Sequence, residues 1–366
     1  MRFIKILVST LVGYIALIVV YPYMIAFSDG SVYVVGTSLY ESEPYRWLSS
    51  TGDELIYLDG DASHEVEIGM VNIDGDESKA LLYKKRDESF HVVTNKKKSR
   101  HVFLTWKDPL GDESGVGTRF NVCDIEWGGG CEKKTIELVM KGTIYVVADY
   151  EDGVIYGRSL LASSVSGISG TLFLVSENDK GDPKIPEYLG GDVNPIAGVF
   201  WNDGIIYQEK GNVVYENQLG AQHVIAEVDS DVEMMFYGND NSVLWNSFWW
   251  PKNSNENHAI YLYYKNNDSV EFTGMCPKMT ENGVLYIDKG KGIYFLSSSN
   301  EKVFIREASM AYCSAHVGNK IFWAERRYNL AYPLHFISSL IGLTEKSPNM
   351  FQSYIFSAHI ENDIEF

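Results

Sequence analysis

An acidic stretch near residue 60 contains the side chains best suited to hold a metal ion. It reads DGDASHEVEIGMVNIDGD, and Asp59, Asp61 and Ser63 have the alternate spacing of a calcium-binding loop. His64 stands where such a loop needs glycine, and Met70 stands where it needs a bidentate glutamate. The same residues form good exposed β-turns. We therefore predict no cofactor, with calcium at Asp59 and Asp61 as the weaker alternative.

Aromatic side chains crowd one loop, WNSFWWPKNSNEN, in the second half of the chain. Phe248, Trp249 and Trp250 precede a proline and a polar run that is poorly suited to burial. Exposed rings of this kind stack on sugars or anchor a partner protein, because they bury a large area at low entropy cost. The alternative is that the two tryptophans pack between structural repeats. We take Phe248, Trp249 and Trp250 as candidate binding residues.

Basic residues cluster between Lys84 and Lys107, most densely in TNKKKSR. Lys96, Lys97 and Lys98 lie between two predicted strands, so a solvated hairpin tip is the default interpretation. The alternative is contact with anionic lipid headgroups or wall polymers, and the three lysines are included as candidate binding residues on that basis.

Signatures of catalysis are absent from the sequence. The eight histidines contain no H-x-x-x-H or HExxH spacing, and there is no G-x-S-x-G elbow, P-loop or dinucleotide fingerprint. Repeat folds can assemble active sites from distant residues, so an enzyme stays a weaker hypothesis. We name no catalytic residue.

Four cysteines form an even set, which is typical of compartments where disulfides persist. Cys123 and Cys131 bracket DIEWGGG, whose glycines permit a sharp turn, so a local disulfide across a hairpin is predicted. Cys276 and Cys313 remain, separated by about one repeat, and their disulfide would join neighbouring repeats. No C-x₂₋₄-C pair is present for zinc.

Acidic residues outnumber basic ones by 49 to 31, giving a formal charge of -18. Such a surface repels nucleic acid and anionic lipid, and it accommodates a cationic protein or peptide partner. The simplest interpretation is that the charge keeps the chain soluble.

The N-terminal segment is basic and then apolar. Arg2 and Lys5 precede an uncharged run from Ile6 to Phe27, which is long enough to cross a bilayer core of about 30 Å. The next basic residue is Arg46, so the positive-inside rule places the N-terminus in the cytoplasm and the rest outside, in the periplasm or its equivalent. We favour an uncleaved signal anchor over residues 1–27. A signal peptide cut near Ala26 is the alternative.

One thirteen-residue pattern occurs twice and organises the chain. DGIIYQEKGNVVY (Asp203 to Tyr215) returns as NGVLYIDKGKGIY (Asn282 to Tyr294), with five identical positions and an offset of 79 residues. Each copy predicts two strands joined by a tight hairpin, and the offset holds two units of about 40 residues. The central aromatics, taken as Tyr145, Tyr207, Trp245, Tyr286 and Trp323, recur at similar spacing except for one long step.

These repeats resemble those of β-propeller proteins whose blades carry an (N/D)-G-φ-φ-Y turn and strand. The resemblance implies an all-β fold over residues 28–366 with about seven blades, six to eight being open. SVYVVG near the N-terminus and SYIFSAHI near the C-terminus would share one blade and close the ring. It is a resemblance in architecture and carries no known activity.

Three insertions depart from the repeat pattern, and we expect the functional residues to lie in them. They are Asn178–Pro195, Trp245–Asn257 and Tyr328–Gln352. The last includes LHFISSLIGL, for which we favour an apolar insertion packed on the body over a helix lying against the membrane.

The sequence as a whole predicts a membrane-anchored, extracytoplasmic binding or scaffolding module that engages a protein or peptide partner. One specific version is an inhibitor or immunity protein that neutralises a cationic partner. The alternative is a periplasmic hydrolase or lyase that acts on a glycan, with the tryptophans as a sugar platform. A structural subunit of an envelope complex is a third hypothesis.

Overall fold

A computed structural model describes most strands and the two helices. The described residues are 2–36, 48–50, 53–61, 65–72, 74, 76–83, 88–95, 100–107, 118–125, 133–138, 143–151, 154–161, 169–176, 187–188, 198–201, 204–209, 211–217, 219–228, 234–238, 241–247, 258–266, 268–341, 350–360, 364 and 366. All structural statements below concern these residues.

Helix α1, Arg2–Ser28, opens the chain. Its segment Val8–Ser28 has a mean hydropathy of 2.0 and is long and apolar enough to cross a membrane, a criterion that signal sequences also meet. The helix ends at Ser28, and in the turn after it Gly30 has a φ of 62°, in the left-handed region that favours glycine. The backbone N–H groups of Gly30 and Ser31 donate hydrogen bonds to the carbonyls of Phe27 and Ala26, so these two carbonyls at the end of the helix have hydrogen-bond partners.

The rest of the chain is mostly β, as predicted, and its strands pair antiparallel with their neighbours in sequence. The first sheet contains β2 Leu48–Ser50, β3 Glu54–Asp61, β4 Glu65–Asn72 and β5 Glu77–Tyr83, and the second contains β6 Glu88–Asn95, β7 Arg100–Lys107, β8 Thr118–Ile125 and β9 Lys133–Leu138. The third sheet contains β10 Thr143–Glu151, β11 Val154–Leu161, β12 Ser169–Ser176 and β13 Glu187–Tyr188. The fourth sheet contains β14 Gly198–Trp201, β15 Gly204–Glu209, β16 Asn212–Asn217 and β17 Gln222–Glu227.

A longer sheet of seven strands follows. It contains β18 Met234–Gly238, β19 Ser242–Ser247, β20 His258–Tyr264, β21 Ser269–Met279, β22 Gly283–Asp288, β23 Gly292–Ser297 and β24 Lys302–Glu307. Strand β21 belongs to both halves of this long sheet, the first half being β18 to β21 and the second half β21 to β24. Ser269 to Gly274 pair with β20, and Met275 to Met279 pair with β22.

The terminal sheet joins the two ends of the chain. It contains β25 Ala311–Val317, β26 Lys320–Tyr328, β27 Phe351–His359 and, at its edge, β1 Val32–Gly36. Helix α2, Tyr332–Leu340, lies between β26 and β27. Val32 pairs with Ser357 and Gly36 with Tyr354. The pairing of an N-terminal strand with the last strand, expected from the sequence, is therefore present.

Large aromatic side chains occupy the second strand of the first, fourth and terminal sheets, and of each half of the long sheet when β21 is counted as the first strand of the second half. Tyr207, Trp245, Tyr286 and Trp323 are fully buried there, as the repeat predicts, and Tyr57 is their counterpart in the first sheet. The assignment of Tyr145 to this series was wrong. Tyr145 lies in β10, the first strand of its sheet, because the equivalent turn and strand is DGVIY, which leads into β11.

Buried apolar clusters pack the sheets face to face. The terminal sheet packs on the first sheet, where Leu55 and Tyr57 meet Ala315 and Phe322. The first sheet packs on the second, the fourth packs on the long sheet, and the two halves of the long sheet pack on each other. The second half of the long sheet also packs on the terminal sheet, in a cluster that includes Ala26 of α1. The helix end is thus part of the core.

Candidate functional site

A cavity of about 320 Å³ lies where the terminal sheet meets the first sheet, and we call it the seam cavity. Val32 and Val34 of β1, Phe322 of β26 and Ala358 of β27 form one apolar wall, and Val71 of β4 contributes from the other side. Strand β1 is the edge of its sheet, so the cavity borders an edge strand. Its volume is within the range of small-ligand and side-chain pockets.

Carboxylate, lysine and histidine side chains surround this apolar wall. Asp74 and Glu77 come from the turn between β4 and β5 and from the start of β5, while Lys320 and His359 come from the terminal sheet. Glu77 accepts a hydrogen bond of 2.5 Å from the hydroxyl of the buried Tyr57. That bond holds one carboxylate in place at the cavity. The site combines an apolar interior with a charged margin, which is the composition of a binding pocket.

The contact between Tyr57 and Glu77 is one of three equivalent contacts, which we call tyrosine latches. In each, a tyrosine of the second strand contacts the first residue of the fourth strand. In the fourth sheet the amide of Gln222 donates to the hydroxyl of Tyr207 at 2.9 Å, and that hydroxyl donates to Glu216 at 2.9 Å. The buried phenol thus keeps its ring in the core and its hydroxyl satisfied.

The third latch lies in the second half of the long sheet. The ammonium of Lys302 lies 5.5 Å from the ring centre of Tyr286 and 4.1 Å from that of Tyr294. It also lies 3.5 Å from the buried carboxylate of Asp288, which Lys291 contacts at 3.0 Å. Burial raises the pKa of Tyr286 above its ordinary value. These contacts are structural, so the repeated tyrosines serve the scaffold.

The residues proposed from the sequence as binding contacts, Phe248, Trp249, Trp250 and Lys96 to Lys98, lie outside the described residues. The structure places the strands that flank them. The tryptophan segment connects β19 to β20, which pair along their length, and the lysines connect β6 to β7, where Asn95 pairs with Arg100. Both segments therefore link adjacent paired strands, and their binding roles remain predictions.

The acidic stretch considered for calcium is a β-hairpin in its first part. Asp59 and Asp61 belong to β3, and β4 begins at Glu65. In the described part of the chain, no group of three or more His, Cys, Asp or Glu side chains is positioned to hold a metal ion.

The predicted disulfide between Cys276 and Cys313 is present. Cys276 lies in β21 and Cys313 in β25, so the bond joins the long sheet to the terminal sheet, as expected for a link between neighbouring repeats. Cys123 is also disulfide-bonded. Cys131, its expected partner, lies outside the described residues, and that pairing stays a prediction.

The seam cavity was not found from the sequence. Its walls come from four separate segments, near residues 33, 74, 321 and 358, and each segment taken alone is an ordinary strand or turn. One prediction from the sequence concerns this cavity. The pairing of the first strand with the last brings the segments near residues 33 and 358 together. The segment near residue 321 joins them because β26 pairs with β27, and the segment near residue 74 approaches only when the terminal sheet packs on the first sheet.

Comparison with known proteins identifies no family. No protein-family model matches the chain, and no curated protein matches it. Solved structures that resemble it include a puromycin hydrolase (12% identity, 80% of this chain and 53% of that chain, TM-score 0.48), a prolyl endopeptidase (8%, 78% and 47%, 0.46) and a protein of unknown function from Dyadobacter fermentans (12%, 75% and 94%, 0.34). The chain spans about half the length of the two peptidases. At these TM-scores the likenesses assign no activity.

Proposed function

We propose that the chain is a membrane-anchored, extracytoplasmic binding module whose seam cavity receives a cationic peptide segment of a partner protein. The seam cavity is the observation that carries this proposal. Its apolar wall, formed in part by Val32 and Phe322, suits an aliphatic or aromatic side chain, and Asp74 and Glu77 suit a neighbouring lysine or arginine. The formal charge of -18 favours approach of a cationic partner.

The scaffold of this proposal is a seven-bladed propeller, with each half of the long sheet counted as one blade. Its support is the sequence of neighbouring sheets. Clusters join the terminal sheet to the first sheet and to the long sheet, and β6 contacts β10 just as β14 contacts β18. One further contact, between the third and fourth sheets, would complete the ring. A closed ring leaves only short sheet edges exposed around its circumference, and the five-residue strand β1 is one of them.

The location rests on α1 and on the disulfide. By length and composition, the 21-residue segment Val8–Ser28 is sufficient for a bilayer crossing if it is taken as a free helix. Arg2 and Lys5 at its N-terminal end orient that end to the cytoplasm. The bond between Cys276 and Cys313 suits an oxidising compartment, which is the side of the membrane on which residues 28–366 are proposed to lie.

The partner is proposed to be a protein, and an inhibitor or immunity role is the specific version. An inhibitor needs a stable and complementary contact, and an edge strand beside a pocket provides one mode: an extended segment pairs with β1 and places a side chain in the seam cavity. Phe248, Trp249, Trp250 and the lysines at 96–98 remain proposed as additional contacts.

A peptide-binding titration tests the proposal. The full-length chain in lipid nanodiscs is titrated into short fluorescent peptides that combine an apolar residue with lysine, and into matched peptides with glutamate in place of lysine. We expect the lysine peptides to bind more tightly. Asp74→Lys should weaken their binding by about fivefold, because an exposed ion pair contributes up to about 1 kcal/mol. Val32→Arg should block the cavity and abolish binding.

Leu219→Arg is the matched control, because Leu219 is 92% exposed in the turn between β16 and β17 and does not line the seam cavity. Its affinity for the lysine peptides should equal that of the native chain. Equal affinity for lysine and glutamate peptides, or unchanged binding by Val32→Arg, would contradict the proposal. Turnover of a wall glycan that disappears on replacement of one carboxylate would establish the hydrolase alternative in its place.

A further inference from the structure

The segment between β26 and β27 has an apolar surface that is left exposed among the residues the structure describes. In the turn before α2, the side chain of Asn329 accepts a hydrogen bond from the backbone N–H of Ala331 at 2.9 Å. The helix then presents Phe336, Ile337 and Leu340 to solvent, and Leu340 is 70% exposed. This differs from the packed insertion favoured from the sequence. In addition, residues 330–344, LAYPLHFISSLIGLT, contain no Asp, Glu, Lys or Arg.

Helix α1 passes the end of the terminal sheet from which α2 extends. Tyr328 and Phe351 are the last pair of β26 and β27, so α2 extends beyond that sheet end. The hydroxyl of Tyr14 donates to the backbone carbonyl of Leu330 at 2.5 Å, which places the middle of α1 beside the start of α2. The C-terminal part of α1 continues along the body to Ala26, which is buried in the core.

The length of α1 then limits how the chain meets a membrane. Residues 2 to 13 lie beyond the contact with Leu330, and they form about 18 Å of helix at 1.5 Å per residue. A bilayer core is about 30 Å thick, so this part alone is too short to cross it. A layer of lipid that also covers α2, whose diameter with side chains is about 10 Å, brings the crossing to about 28 Å. Docked as it is, α1 comes close to spanning the core only if α2 also lies inside it and the long side chains of Arg2 and Lys5 extend to the headgroups at the cytoplasmic end.

We propose that α2 inserts into the outer leaflet beside α1, with Phe336, Ile337, Leu340 and Ile341 in contact with lipid, and holds the body against the membrane. The inference rests on the proposed anchoring role of α1. Tyr328, Met350 and Phe351 are exposed at the same end of the sheet and would lie at the headgroup level, where aromatic side chains are favoured. The segment thus acts as an interfacial helix in addition to the spanning one.

Site-specific fluorescence in nanodiscs tests this inference with the full-length chain. Leu340→Cys is labelled with an environment-sensitive dye, and quenching by spin-labelled lipid is compared with quenching by aqueous iodide. We expect lipid quenching to be several-fold stronger than iodide quenching. Leu219→Cys, in the exposed turn of the fourth sheet, is the matched control and should give the reverse order. The unsubstituted chain is labelled in parallel to measure dye bound to native cysteines.

The outcomes separate the inference from the function on which it rests. A label at 340 that iodide quenches, in a chain that resists carbonate extraction from membranes, overturns the insertion of α2 and leaves the anchor intact. A chain that carbonate releases overturns both. A label that neither agent quenches, together with disulfide cross-linking of two chains at position 340, identifies a second copy as the occupant and also overturns the inference. The seam cavity is independent of all three, because its peptide titration does not involve α2.

Discussion

Removal of the disulfide between Cys276 and Cys313 should lower the stability of the chain by an amount set by loop length. The two Cα atoms are 5.2 Å apart and the residues are separated by 37 positions. In the chain-entropy account, closing a loop of this length in the unfolded state contributes about 4 kcal/mol at 25 °C. The double variant Cys276→Ala/Cys313→Ala should therefore lose about 4 kcal/mol in the free energy of unfolding.

The disulfide predicted between Cys123 and Cys131 provides the matched comparison. Its loop covers only eight positions, for which the same account yields about 2.5 kcal/mol. Urea unfolding of the full-length chain in detergent, followed by tryptophan fluorescence, measures both double variants against the native chain. The Cys276 pair should be the more destabilised by about 1.3 kcal/mol.

Two details keep the test informative. Cys276 has a φ of 46°, a conformation that costs energy for any residue other than glycine, and alanine inherits that cost. The variant Cys123→Ala/Cys131→Ala reduced with dithiothreitol retains the side chains of Cys276 and Cys313, so it isolates the effect of their bond. The loop-entropy reasoning is refuted if reduction leaves the unfolding midpoint unchanged. It is also refuted if removal of the Cys123 and Cys131 pair lowers the free energy of unfolding more than removal of the Cys276 and Cys313 pair.

Three further predictions concern the scaffold. Tyr207→Phe removes the latch hydroxyl but keeps the ring, and it should cost about 2 kcal/mol in urea unfolding, the net value of two hydrogen bonds; an unchanged midpoint would show that the latch contributes nothing. Gly69→Ala should cost about 2 to 3 kcal/mol, because its Cβ would lie 1.9 Å from the ring of Tyr57; pairing it with Tyr57→Ala should give a less-than-additive loss, and full additivity would argue against the clash. Burial raises the pKa of Tyr264 and Tyr286 above the ordinary value near 10, so the unfolded state releases these protons first and stability should fall as the pH rises through 10 and above; an unfolding midpoint equal at pH 9 and pH 11 would contradict this.

Much of the fold follows from local pattern. Short runs of branched and aromatic residues between glycine-containing turns predicted the strands around Tyr207 and Tyr286, because these residue types favour the pleated surface of a sheet. The error at Tyr145 came from aligning aromatic letters instead of the turn that precedes them. The sequence DGVIY at the start of β11 carries the same turn as DGIIY and NGVLY, and it identifies the second strand correctly.

Aligning the repeats would place the residues of the tyrosine latches at equivalent positions. Only the structure shows that these residues are in contact. Glu77, Gln222 and Lys302 have different chemistry, so no shared letter marks them. Their common feature is position, because each begins the fourth strand of its sheet. A tyrosine hydroxyl both donates and accepts hydrogen bonds, which lets an acid, an amide and a base occupy the same place.

The sequence by itself determined the β-repeat architecture, the apolar N-terminal helix, the pairing of first and last strands, and the partnership of Cys276 with Cys313. Each depends on spacing along the chain, which local propensity and turn chemistry encode. Only the tertiary structure decided where the seam cavity lies and that α2 leaves its apolar side chains uncovered beside α1. Those features depend on which faces of distant segments meet, and an apolar residue has the same letter whether a neighbouring sheet covers it or not.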